Sequence, residues 1–325
     1  MTQTTRSTSS RHLIDPEIVD LLDVFPTLNL SAETLQGVRD LMGAPVEGAP
    51  DPQELFPDVT TTEHLVPGAE GDPDVRVLYY EPKNRATTTA ALVWIHGGGY
   101  VIGSADADEI LCRRIATETG AVVASVDYRL APENHYPAAS EDVAAVYRAL
   151  LKDHRPENIG IYGCSAGGII TAQATAYIRA QKLPPPGAIG TLCGTGAPYD
   201  GDSPYLSAAT TGGAVPTGPL PDTLPTPYLS GVPASDPLAY PLRSESETRA
   251  MPPTLLLAGG RDFAVSALTL AARRLGAAGV DQELYLFDGL PHAFFVWPDM
   301  PESQEAYRII SGFFDRKLGK KQVSD

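Results

Sequence analysis

The chain has 325 residues, long enough for one large α/β domain or two small ones, either with a substantial core. Forty acidic residues against twenty-four basic ones give a formal net charge of −16, so phosphate backbones and anionic membranes repel it and nucleic acid is disfavoured as a partner. Met1–Arg11 is rich in Thr and Ser without the apolar stretch of a secretory signal, and no apolar run approaches the ~20 residues of a membrane helix. Cys112, Cys164 and Cys193 are odd in number and lack metal-ligand spacing. These features together predict a reduced, cytoplasmic protein with no metal.

In chain order, residues 1–10 are expected to be disordered. Asp15–Leu22 has the Asp-Pro of a helix start and apolar residues at helical spacing. Ser31–Met42 is a second short helix with Leu35, Val38 and Leu41 as its stripe, and proline-rich Ala44–Pro57 reads as a connector. Neither helix carries chemistry of its own. Val75–Tyr80 and Ala91–Ile95 read as strands, and His96-Gly97-Gly98-Gly99-Tyr100 breaks off the second. Three successive glycines lose much backbone entropy on folding, which suggests that backbone here must come close to something. Asp108–Glu118 is helical, and Ala121–Val126 is a buried strand ending in Asp127-Tyr128-Arg129-Leu130-Ala131-Pro132-Glu133. Polar groups directly after a buried strand need partners, so Arg129 and Glu133 are given scaffold roles. Ala138–Leu151 is a helix.

Next come a strand at Asn158–Tyr162, the stretch Gly163-Cys164-Ser165-Ala166-Gly167, and a helix over Ile169–Ala180. G-x-S-x-G between strand and helix has the context of a nucleophile elbow. The turn strains the serine backbone, so the positions two before and two after must lack bulk, and Gly168 lets the helix approach closely. Ser165 then stands at a helix N-terminus, where amides and the dipole favour a developing oxyanion. Ala188–Cys193 is a further strand. The Pro/Gly/Ser/Thr-rich passage Gly194–Arg249 is too long for a plain loop and reads as a lid with aromatic walls. Pro253–Ala258 and Glu283–Phe287 resume the sheet around a helix at Ser266–Leu275, and Glu302–Leu318 is a terminal helix. Alternating strands and helices predict a mostly parallel, doubly wound sheet with helices on both faces. Asp262 and His292 each follow the C-terminal end of a strand, where such sheets bind ligands.

Together, His96–Gly99, Tyr128–Glu133, the elbow, the Asp262 turn and the His292 segment resemble the hormone-sensitive-lipase-like family of α/β-hydrolase esterases, over nearly the whole chain after Thr60. The chain order Ser, Asp, His matches that fold. The resemblance implies the α/β-hydrolase fold with a helical cap, residues 1–58 forming its first part and an insert at about 196–249 its second, on a catalytic domain at 59–325. It implies a serine carboxylesterase with Ser165 as nucleophile, His292 as general base and Asp262 as the acid that holds it, Asp288 being the alternative acid. The amides of Gly98, Gly99 and Ala166 form the implied oxyanion hole. Short- to medium-chain esters are the implied substrates, no cofactor is required, and a homodimer is compatible with the likeness. Tyr100, Tyr199, Tyr205 and Phe294, with Phe295, are candidate pocket walls. The chain departs from the family pattern at Cys164, where a polar residue is common, at Phe263 and Ser266 in the acid segment, and at Ala293 after the histidine. A lactone or aryl-amide hydrolase, or a non-catalytic receptor on the same fold, are the alternatives; receptors of this superfamily lose the histidine that is present here.

Overall fold

Ala91–Ile95 shows how the core is built. All five residues are buried, and alternate side chains go to opposite faces of the pleat: Ala91, Val93 and Ile95 to one cluster, Leu92 and Trp94 to the other. A strand apolar on both sides must lie inside a sheet covered twice. The computed structural model, which describes residues 33–42, 51–83, 90–197, 201–204, 218 and 226–318, has that arrangement. The expected helix at Asp15–Leu22 and the residues Tyr199 and Tyr205 lie outside the described residues.

Eight strands form one sheet: β1 Val59–Val66, β2 Val75–Pro82, β3 Ala91–Ile95, β4 Val122–Asp127, β5 Ile159–Cys164, β6 Ala188–Leu192, β7 Thr254–Gly259 and β8 Gln282–Phe287, in the order β1-β2-β4-β3-β5-β6-β7-β8. β1 pairs antiparallel with β2, and β2 with β4; the rest of the sheet is parallel. The helices among the described residues are α1 Leu35–Met42, α2 Pro52–Leu55, α3 Glu109–Thr119, α4 Ala138–Leu150, α5 Ala166–Ala180, α6 Glu245–Arg249, α7 Val265–Ala277 and α8 Pro301–Lys317. α4, α5 and α7 cover one face with Val143, Ile170 and Leu268, and α3 and α8 cover the other with Ile115 and Phe313. This is the α/β-hydrolase fold.

Two elements depart from the sequence reading. α2 interrupts the expected connector, its Asp51 side chain capping the Gln53 amide at 2.8 Å. β1 escaped because its middle, Thr61–Leu65, is half-exposed or exposed on both faces and shows no alternation. It is an edge strand, tied down by Arg113, which donates to Val59 O (2.7 Å) and Thr61 Oγ1 (2.8 Å). In the long insert, Tyr228, Leu229, Tyr240 and Leu242 are buried, so this part packs on the domain rather than hanging free.

Under the centre of the sheet, the Phe314 ring meets Tyr162 at 5.3 Å and fills the space above Gly160, where a Cβ would lie 2.7 Å from Phe314 Cε1. Phe314→Ala is expected to destabilise the fold by about 3–5 kcal/mol, read as a fall in the urea midpoint without a change in slope.

Candidate active site

The elbow forms because bulk is missing where strands and helix converge. Ser165 has φ 58° and ψ −121°, a conformation that costs an L-residue about 1–3 kcal/mol and persists only if its surroundings enforce it. A Cβ on Gly163 would come 2.6 Å from Gly167 and from Ile95 O, and one on Gly167 would come 2.0 Å from Ile95 O. Gly168 has its predicted role: a Cβ there would lie 2.5 Å from Gly194 O. The Ser165 amide donates to Leu192 O at 2.8 Å, and Ser165 O accepts from Ile169 N at 3.1 Å. Strand β5 runs two residues further than expected and α5 starts directly at Ala166, so the turn has no slack.

Turns after β7 and β8 bring the acid and the histidine to the same sheet edge. Asp262 is fully buried. Its Oδ1 accepts from Ala264 N (2.8 Å) and from His292 Nδ1 (2.8 Å), while Ser165 Oγ lies 2.9 Å from His292 Nε2. A carboxylate only accepts, so Nδ1 carries a proton and, in the neutral ring, Nε2 accepts from Ser165 Oγ. Burial favours the neutral imidazole, but the Asp262 charge and hydrogen bond outweigh it and raise the His292 pKa to about 9. Nδ1 meets Asp262 and not Asp288, the alternative acid. Cys193, Asp262 and His292 place potential metal-ligand atoms within 4.8 Å of one another, among the described residues. Asp262 and His292 already use two of those atoms on each other, so a metal there would break the chain to Ser165.

The glycine loop faces Ser165: a Cβ on Gly97 would lie 3.3 Å from Ser165 Cβ. Gly98, Gly99 and Gly103 have φ of 111°, 59° and 98°. Among the described residues, no backbone carbonyl accepts from the amides of Gly98, Gly99 or Ala166, whereas the amide of Ser165 is engaged. These three amides are therefore unclaimed by other backbone. His96 shapes the loop. Its ring is buried, stacks on Tyr128 at 4.2 Å and donates from Nδ1 to Gly97 O (2.7 Å); burial lowers its pKa and keeps it neutral.

Other expectations divide. Arg129 is a scaffold residue: its guanidinium holds Asp142 (2.9 Å), Asp72 (2.9 Å) and Glu141 (3.0 Å). Cys164 is buried, with its Sγ 3.0 Å from Cys193 Sγ, and burial pushes its thiol pKa well up, so it packs rather than reacts. Two of the expected pocket walls, Tyr100 and Phe294, fall within the described residues. Tyr100 is buried and stacks on Tyr228 at 4.6 Å, and Phe294 is buried among Phe287 and Phe295 on the α3/α8 side. The sequence reading missed Phe263 as a site residue. Its ring stacks on His292 at 4.4 Å and is 37% exposed, and the signal was an aromatic next to the acid where the family pattern lacks one.

Asp262→Asn removes the charge that raises the His292 pKa while burial continues to lower it. Imidazole NMR titration is therefore expected to show a value near 9 in the wild type and a fall of more than one unit in the variant.

The sequence profile of the alpha/beta hydrolase fold family matches residues 92–296. The carboxylesterase NlhH of Mycobacterium tuberculosis is 34% identical over 186 residues, 56% of this chain and 57% of that protein, so the chain spans little more than half of that relative's length. An esterase crystal structure from the bacterial hormone-sensitive lipase family aligns with TM-score 0.74 at 26% identity, covering 94% of this chain and 99% of that one. The structure of EstE5 soaked with p-nitrophenyl butyrate aligns with TM-score 0.76 at 26% identity, over 93% of this chain and 99% of the other. The profile runs from β3 through the elbow to the turn after His292, the same elements that build the site, and the chain belongs to the α/β-hydrolase fold family.

Proposed function

We propose that the protein is a serine carboxylesterase acting on short- to medium-chain carboxylic esters through an acyl-enzyme. The observation that carries this reading is the hydrogen-bonded chain from Ser165 through His292 to Asp262, beside three amides unclaimed by other backbone. Ser165 Oγ attacks the ester carbonyl carbon while Nε2 of His292 takes its proton and then returns it to the leaving alcohol. Asp262 keeps the ring in the required tautomer and stabilises the imidazolium. The negative oxygen of the tetrahedral intermediate is met by the amides of Gly98, Gly99 and Ala166, each worth about 10²–10³ in turnover. Water then enters by the same route in reverse, with His292 as its base. The names of the similar proteins, a carboxylesterase and EstE5 soaked with p-nitrophenyl butyrate, support ester chemistry and a short acyl group.

The two parts of the cap, residues 1–58 and about 196–249, are inferred to cover this site. Two contacts support this: α1 reaches the loop after Gly99, where Arg39 donates to Val101 O, and Tyr228 of the insert stacks on Tyr100.

Hydrolysis of p-nitrophenyl acetate, butyrate, octanoate and laurate is expected to be fastest at the short end and to fall about 10⁶-fold in Ser165→Ala. Asp262→Asn is expected to lower kcat about 10⁴-fold. Absence of turnover by folded wild-type protein on all four esters would overturn the ester assignment, and lactones and anilides would be tried next. The base must be neutral to act, and its pKa is raised to about 9, so kcat/KM is expected to climb about tenfold per pH unit up to about 9 and then level off. A plateau already reached at pH 6 would contradict the role given to His292.

A further inference from the structure

Nothing in the sequence around Arg39 marks it, yet its side chain reaches from α1 to the glycine loop. Nε donates to Val101 O at 2.7 Å and an Nη donates to Ala131 O at 2.8 Å, while Glu133 grips the guanidinium bidentately at 2.8 and 3.0 Å. The side chain is 18% exposed, and the fork is held in one plane by the paired carboxylate.

The loop it holds does not hold itself by backbone preference. Gly98, Gly99, Tyr100 and Gly103 all have positive φ, and at Tyr100, with φ 68°, no glycine relieves the strain. Within the loop, Gly98 O accepts from Val101 N (3.0 Å) and Ile102 N (3.1 Å). From outside, Ala131 N donates to Tyr100 O at 2.8 Å and Arg39 donates to the next carbonyl along, that of Val101. Because Arg39 also bonds Ala131 O, one guanidinium ties both sides of the junction between the glycine loop and the Tyr128–Glu133 loop.

We propose that Arg39 is a positioning residue that holds the glycine loop in the shape that presents the Gly98 and Gly99 amides to the developing oxyanion; this rests on the reading of that loop as an oxyanion hole. It touches no reacting atom. Its effect appears in the transition state, where preorganised donors matter, and not in ground-state binding. Lysine is no substitute, because an ammonium is a point donor that does not match the spacing of two carbonyls and a carboxylate at once.

The test uses the full-length chain with Arg39→Ala, Arg39→Lys and Glu133→Gln, with folding checked by circular dichroism. Two rates are read: turnover of p-nitrophenyl butyrate, and phosphorylation of Ser165 by diethyl p-nitrophenyl phosphate followed by intact mass, because the phosphoryl oxygen needs the same amides. Arg39→Ala is expected to lower kcat about 10- to 100-fold with KM within about threefold, and to slow phosphorylation in parallel. The acid limb of the pH profile should not move, because Asp262 and His292 are untouched. Glu133→Gln leaves both carbonyl contacts in place and should lose less than Arg39→Ala. If Arg39→Ala fails to fold, Arg39→Lys carries the test, with an expected loss of about tenfold in both rates. Wild-type rates in Arg39→Ala or Arg39→Lys, a loss confined to KM, or a greater loss in Glu133→Gln would overturn the proposal. A wild type that is phosphorylated on Ser165 but hydrolyses no p-nitrophenyl ester would defeat the esterase reading, and the phosphorylation rates would still judge Arg39.

Discussion

Ser165 holds its backbone at φ 58° and ψ −121° because β3, β5 and β6 end within reach of one another and nothing larger than hydrogen fills the gaps between them. Ile95 O presses on Gly163 and Gly167, Leu192 O takes the Ser165 amide, and Gly194 lies against Ser165 O. The parallel order β3-β5-β6 is therefore a requirement of the elbow as well as the frame of the core. A methyl group at Gly167 would push Ile95, and with it the start of the glycine loop, away from the serine. Strain and site are one construction, and the sheet enforces it.

The electrostatics follow from the same convergence. A carboxylate as buried as Asp262 is tolerated because a histidine proton and the Ala264 amide share one of its oxygens. That pairing fixes the imidazole tautomer and makes the ring a stronger base, and Phe263 covers one side of it. His96, near the elbow, is treated the opposite way: burial outweighs the Gly97 carbonyl and the Asp127 charge, so it stays neutral and acts as a wedge under the glycine loop. Two histidines in one chain are given opposite protonation behaviour by what lies beside each ring.

The sequence was most informative where function is local. Gly163–Gly167 must be small whatever the rest of the chain does, and Asp262 and His292 each follow the end of a strand, so the elbow and the two side chains that reach Ser165 were legible from residue order. The central strands β3, β5 and β7 were legible because burial on both faces leaves them almost wholly apolar. β1 was not, since a polar edge strand is held by its neighbour and by Arg113 rather than by its own pattern. The packing of Tyr100 and Phe294 was not legible, because an aromatic beside a motif can turn either toward a ligand or into the core, and its neighbours are residues distant in sequence or on another element, such as Tyr228 and Phe287. Arg39 was invisible for the same reason: its partners lie 62 to 94 residues away.

If Ser165 is the nucleophile it becomes acylated, which rapid mixing of the protein with p-nitrophenyl butyrate, acid quench within milliseconds and peptide mass mapping would detect. The expected result is a burst of p-nitrophenol matched by a butyryl group on the peptide that contains Ser165, absent when His292 is replaced by alanine. Steady turnover with no acyl group on that peptide, or with the acyl group on another residue, would contradict it.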